Sequence, residues 1–259
     1  MDKMTVLGYV FGLGLFFMGM QEGGTTKLFL NGHALILVLG GTVAAAMISN
    51  SFKTTVLALK AIRIIFFPKR LLPAEATIQI MVDLAEKARR EGVAALPEEA
   101  KRYNDPFLQN GIQLVADGLP SHTVEEVMAE DVHHIRNRHR AISDFYRVAG
   151  VYGPMFGLLG TLIGIVQVLS HLSDPSRVGP AMAVAITTAF YGIFLANFIC
   201  LPIANKLKIR SEEELALKEL IMLGVIAIES GDLPMLVRKK ISTYLSYSAK
   251  GGKNTKGRP

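Results

Sequence analysis

Apolar residues along the chain gather into four long uncharged stretches, 4–20, 33–50, 148–172 and 178–204. Elsewhere they fall at helical spacing among charged positions. A membrane helix needs roughly 20 apolar residues, at about 1.5 Å each, to cross a hydrocarbon core of ~30 Å. The third and fourth stretches exceed that length, and the first two reach it with flanking residues. Helices in soluble cores rarely run so long without a charge, which excludes a large soluble enzyme. The stretches pair as two hairpins, 1–50 and 148–205. They are separated by a polar segment, 51–147, and followed by another, 206–259. The pattern predicts an all-α membrane protein with four transmembrane helices and a helical lobe.

In the polar segments the period is helical. Residues 74–91 place Ile78, Met81, Leu84 and Ala88 on one face, with Asp83, Glu86, Lys87, Arg89 and Arg90 mostly elsewhere, and Gly92 ends the run. A second helix covers 106–117, with Phe107, Ile112, Leu114 and Val115 available for a core, and Gly118-Leu119-Pro120-Ser121 breaks the chain. Thr123 with Glu126 has capping-box spacing, so a third helix starts there and runs toward the third span through Val132, Ile142 and Tyr146. Two more helices, 215–229 and 234–247, are split by Ser230-Gly231-Asp232, and the Gly- and Lys-rich tail 248–259 reads as disordered. Residues 20–24 read as a turn between helices, not as a signal-peptide cleavage site.

Charge sets the orientation. Of 28 Lys and Arg, only Lys27 and Arg177 lie in the two short connections within the hairpins. Membrane-proximal Lys53, Lys60, Arg63, Lys69 and Arg70 agree with the basic C-terminal tail, so both termini and the lobe are expected in the cytoplasm. The net charge of +6 comes from these membrane-flanking clusters, which argues against nucleic-acid binding. One cysteine, Cys200, allows no intrachain disulfide, and the six histidines have no metal-ligand spacing. No P-loop, dinucleotide fingerprint or Ser/His/Asp arrangement is present, so no enzyme and no cofactor is expected.

The second hairpin carries the informative polar groups. It has no Asp or Glu in 148–172 or 178–204, yet it contains Thr161, Thr187, Thr188 and Asn197. Ionisable groups in a bilayer usually mark ion paths, so if this chain moves ions a partner helix brings the carboxylate. Gly153, Gly157, Gly160 and Gly164 recur on one helix face with Thr161. Ala181, Ala185, Thr188, Ala189, Gly192 and Ala196 make a similar stripe on the fourth span. Small faces let membrane helices approach closely, and packing alone accounts for them more readily than an ion path does.

The string GPMFGLLGTLIGIVQVLSHLSDPSRVGPAMAVAITTAFYGIFLANFICLPIANKL, followed by LIMLGVIAIESGDLP, resembles the MotA/PomA family of flagellar stator subunits. LFLNGHALILVLGGT, DLAEKARREGVAALPEEA and DPFLQNGIQLVADG extend the similarity over almost the whole chain. The ExbB/TolQ energisers share the Gly-rich hairpin but have three spans in a different order. A subunit of that kind, clamping a single-span partner helix, is the alternative.

The stator resemblance implies an inner-membrane ring of five around a MotB- or PomB-type single-span partner whose membrane Asp carries the ion. It implies a lobe that pushes the rotor protein FliG, surrounding lipid, and transported Na⁺ or H⁺ rather than a bound cofactor. By position, Pro154 and Pro202 are the family's structural prolines, at the start of the third helix and the end of the fourth. Arg89, Arg90, Glu98 and Glu99 are the rotor-facing charges, and Thr161 and Thr188 match the ion-lining threonines of sodium-type members. Ala189 stands where members commonly have a second Thr, and Asn31 where some sodium-type members have an outer Asp. Thr161 favours sodium over protons, because a dehydrated Na⁺ wants oxygen ligands that a proton path does not need. Pro154, Ala189 and Asn197 complete the expected ion path. Gly153, Gly157, Gly160, Gly164 and Gly192 are expected to pack helix on helix.

Overall fold

The computed structural model describes residues 3–21, 29–67 and 71–251. These are helical almost throughout, and no strand occurs among them. The helices are α1 (Lys3–Gln21), α2 (Gly32–Ile48), α3 (Phe52–Phe66), α4 (Ala74–Glu91), α5 (Leu96–Ala100), α6 (Pro106–Ala116), α7 (Ser121–Ser170), α8 (Pro175–Phe194), α9 (Leu201–Glu229) and α10 (Pro234–Gly251). A 3-10 turn, Val93–Ala95, precedes α5, and a π-helical segment, Leu195–Cys200, joins α8 to α9. The protein is an all-α membrane protein. α1 and the apolar parts of α7 and of the run Pro175–Glu229 are long enough to cross a bilayer, and α2 is a shorter apolar helix of 17 residues. The turn expected at 20–24 lies mostly outside the described residues, as does most of the tail 248–259. Helix α10 itself reaches Gly251.

Two compact units divide the chain. The first comprises Met1–Lys69 with His139–Ile209. In it α2 packs against α8. A buried cluster joins Val38 and Ala46 of α2, Ala58 and Ile65 of α3, Phe145, Tyr146 and Ala149 of α7, and Leu195, Cys200, Ile203 and Ala204 of the fourth span. Helix α1 joins through rings: Phe16 meets Phe194 edge-on at 4.9 Å, and Tyr9 meets Phe198 at 5.4 Å. Helix α3, which the hydropathy pattern did not single out, is capped by Ser51, whose Oγ accepts from the Thr54 amide. Its inner face is tied down by Tyr146, whose hydroxyl donates to the Ala58 carbonyl at 2.7 Å.

The second unit comprises Arg70–Arg138 with Arg210–Pro259. Its core is built from large side chains, among them Met81, Leu84, Leu96, Ile112, Met128, Leu220 and Ile241, all at most 2 % exposed. Helix α4 forms because its apolar residues share one face, and it stops at Gly92, whose φ of 84° suits a residue without Cβ. Asp105 caps α6, its Oδ1 accepting from the Phe107 amide at 2.9 Å, and Pro106 occupies the first helical position. The expected start of α7 at Thr123 is corrected to Ser121. The Thr123 amide already donates to the Pro120 carbonyl at 2.9 Å, so no capping box forms there.

The helix that carries the fourth span does not stop between 204 and 215 as the pattern suggested. It continues through the π segment into α9. Pro202 explains the widened turn: it has no amide to return to the carbonyl of Phe198, and its ring presses on that carbonyl. The Leu201 amide bonds instead to Ala196, five residues back.

Candidate functional site

The functional candidates of the second hairpin meet where α7 and α8 touch. A Cβ built on Gly157 would lie 2.9 Å from the Thr188 carbonyl oxygen and 3.3 Å from Ala189 Cα. One on Gly164 would lie 2.8 Å from Ala185 Cα, and one on Gly192 would lie 2.6 Å from the Gly153 oxygen and 3.1 Å from Pro154 Cα. One on Gly153 would stand 3.1 Å from the Gly192 oxygen. The obstacles are backbone atoms, which cannot swing aside. Gly160 faces the side chain of Thr188 instead, at 2.5 Å from its Cβ.

This approach brings oxygens together. Thr161 Oγ1 stands 3.0 Å from the Gly157 carbonyl on its own helix and 3.0 Å from the Ala185 carbonyl across the interface. Its single proton serves one of them at a time. Thr188 Oγ1 donates to the same Ala185 carbonyl at 2.8 Å. Thr161 is half-buried, whereas Thr188 is fully buried beneath Gly160. The Ala185 carbonyl, invisible to a reading of side chains, is therefore the point on which both hydroxyls converge. Thr187 is also buried and donates to the Ala183 carbonyl.

The remaining positions spread along the span. Asn197 is exposed, and its amide donates to the Ile193 carbonyl at 3.0 Å. Pro202 is exposed directly below the π segment, and Cys200 is buried. At the other end Asn31 caps α2, its Oδ1 accepting from the Ala34 amide at 3.1 Å, while its own amide donates to the Tyr191 hydroxyl at 3.3 Å. That hydroxyl donates in turn to the Phe29 carbonyl. The Asn-before-apolar-run signal was present in the sequence; the Tyr191 clasp was not.

In the second unit the four expected rotor-facing charges differ. Arg89 is exposed with no ion-pair partner among the described residues, and Arg90 is exposed beside Glu86 at 3.5 Å. Glu98 is exposed and accepts from Lys101 at 2.6 Å. Glu99 departs from the expectation of an exposed charge. Its side chain is only 16 % exposed, held by Lys87 at 2.7 Å and Arg102 at 2.8 Å. The hydrogen bond from Lys87 is the main cause that holds the Glu99 carboxyl below its ordinary range, and the same bond raises Lys87. Lys101 likewise lowers Glu98. No cluster of His, Cys, Asp and Glu able to hold a metal occurs among the described residues.

Comparison with known proteins fixes the class. The sequence profile described as the MotA/TolQ/ExbB proton channel family matches residues 99–219. The chain is 33 % identical over 250 residues to motility protein A of Borreliella burgdorferi, covering 95 % of each. It is 34 % identical over 250 residues to the chemotaxis protein PomA of Vibrio alginolyticus, covering 95 % of this chain and 96 % of that one. The structure superposes on the flagellar MotAB stator complex from Bacillus subtilis with a TM-score of 0.87 and 29 % identity, over 98 % of this chain and 100 % of that one. MotAB of C. jejuni shares the fold, with a TM-score of 0.86 at 24 % identity over 94 % of this chain and 96 % of that one. The chain belongs to the motility protein A family, the stator-type branch of these channel proteins.

Proposed function

We propose that this chain is the ion-channel subunit of a flagellar stator in the bacterial inner membrane, with both termini cytoplasmic. Five copies surround a MotB- or PomB-type single-span partner, sodium is the ion favoured over protons, and the helical lobe drives FliG. The observation that carries the reading is the oxygen group of Thr161, Thr188 and Ala185 in a hairpin without a carboxylate. Both hydroxyls spend their protons on carbonyls, which leaves oxygen lone pairs for a cation. Half-buried Thr161 is the ligand, and buried Thr188 holds the carbonyl beside it. The partner's carboxylate supplies the charge. Pro154, Ala189 and Asn197 border the same path, and Arg89, Arg90 and Glu98 offer the lobe's exposed charges to the rotor.

Swimming speed of a deletion strain complemented with variants, measured against external sodium at fixed pH, tests this. Leaving one ligand site empty in a low-dielectric path costs about 1–3 kcal/mol, roughly five- to 150-fold in the sodium needed. Thr161→Ala shifts the sodium dependence by that factor or abolishes rotation, and Thr161→Ser retains most of it. Motility that ignores sodium and collapses with a protonophore at neutral pH replaces sodium by protons and leaves the stator reading standing.

A further inference from the structure

Helix α3 follows the last residue of α2 after three residues, and its far end stays with the spans. Ile65 lines a groove of about 260 Å³ with Gly8, Tyr9, Phe198, Pro202 and Lys206. A helix that begins beside one span and ends against two others runs along the membrane surface rather than away from it. Its inner face, Thr55, Ala58, Ala61 and Ile65, is buried. The outer face carries Lys53, Lys60 and Arg63 between exposed Phe52, Leu59 and Ile64, and α3 contains no acidic residue. Among the described residues none of these three cations has an ion-pair partner. Lys87, Arg90, Lys101, Arg102 and Arg136 of the second unit all do.

We propose that the outer face of α3 and the adjoining groove bind anionic phospholipid, with Lys53, Lys60 and Arg63 on headgroup phosphates and an acyl chain along Gly8, Ile65 and Phe198. Cations interleaved with apolar side chains on a surface helix match the two halves of such a lipid, whereas an acidic protein would satisfy only the charges. The inference goes beyond the stator reading and does not depend on which ion flows.

Native mass spectrometry of the full chain, released from detergent containing equal phosphatidylglycerol and phosphatidylcholine, provides the test. A basic side chain near an anionic surface contributes about 1 kcal/mol, which corresponds to roughly fivefold per cation. The wild-type chain is expected to retain phosphatidylglycerol in excess. Combining Lys53→Gln, Lys60→Gln and Arg63→Gln removes the excess, and combining Lys53→Arg, Lys60→Arg and Arg63→Lys keeps it. Equal retention of the two lipids by the wild type overturns the proposal, as does an excess that survives the triple Gln variant. If the Gln variant does not fold, the wild-type excess must fall as salt is raised, and an excess insensitive to salt also overturns it. Equal lipid retention with capture of an acidic protein assigns the face to that protein. Every readout is taken without ion flow, so failure here leaves the stator reading intact.

Discussion

The two units solve the packing problem with opposite inventories. In the second unit the large side chains point inward: Met81, Leu84, Ile112 and Ile241 are buried, and the surface carries ion pairs such as Lys87–Glu99 and Arg136–Glu219. In the second hairpin of the first unit the small residues point inward. Leu158, Leu162 and Val166 point outward, and Leu158 is 61 % exposed. Water drives the first arrangement, since burying apolar area is favourable only where water is the alternative. In lipid that drive is absent, and helices associate through close backbone contact and hydrogen bonds between them. The same amino acid thus has opposite value in the two units. A leucine is a core residue in one and an outward-facing residue in the other.

The contrast breaks first at the glycines. Gly157→Leu is expected to eliminate recoverable assembled complex and motility, because its side chain would meet the backbone of Thr188 and Ala189. Gly14→Leu, in open space on α1, leaves both unchanged. Equal yields of the two variants in a pull-down would undo the close-packing account. Next in size is the lobe core: Leu84→Ala should lower the stability of the purified chain by about 2–5 kcal/mol in denaturant unfolding. Leu158→Ala, on the outward face, should leave the same measurement nearly unchanged.

Smaller effects sharpen the comparison at the charges. Glu99 is depressed and contributes stability above the ordinary carboxylate range that is lost as pH falls through its folded value. Lys87 is raised and contributes stability below the ordinary lysine range that is lost as pH rises through its folded value. The contribution of this pair to the thermal midpoint is therefore constant between those limits. Glu99→Gln lowers the midpoint in that window and removes the pair's share of the losses at both ends. A Glu99→Gln midpoint equal to wild type at neutral pH would leave the pair without structural weight. Smallest of all, single neutralisation of exposed Arg89 or Arg90 should slow swimming only slightly, since exposed charges contribute little. Reversing both to Glu slows it much more, and matching reversals on the rotor restore speed. A harmless double reversal would make them ordinary solvated charges.

What the sequence made legible follows the same divide. Helix α4 fell within its expected bounds because its period is written in strong apolar–charged contrast, and its glycine terminator acts locally. The long apolar helices α1, α7 and the run Pro175–Glu229 followed from length and composition, whereas α2 is shorter and was marked by its lack of charge. Helix α3 escaped because its cations and apolar residues share the exposed face, so the contrast that marks α4 is blurred. Only the Ser51 cap announced it. Thr161 and Thr188 were evident as residue types, but their shared acceptor at Ala185 depends on interhelical distance, which no one-dimensional pattern records. Glu99 likewise resembled its neighbour Glu98 until Lys87, twelve residues earlier, was brought against it.

The widened turn at Leu195–Cys200 has a consequence for how far a seam can run. Thr188, Gly192, Ala196, Cys200 and Ala204 are all buried and stand four residues apart. On a regular helix each such step overshoots a full turn by about 40°, so four of them would carry the last residue nearly to the opposite side. The π segment sits in the middle of this run, and its looser winding takes back much of the overshoot. Pro202 therefore acts as a phase corrector: by forcing one slow turn it keeps a single line of small side chains facing inward for more than four turns of the fourth span.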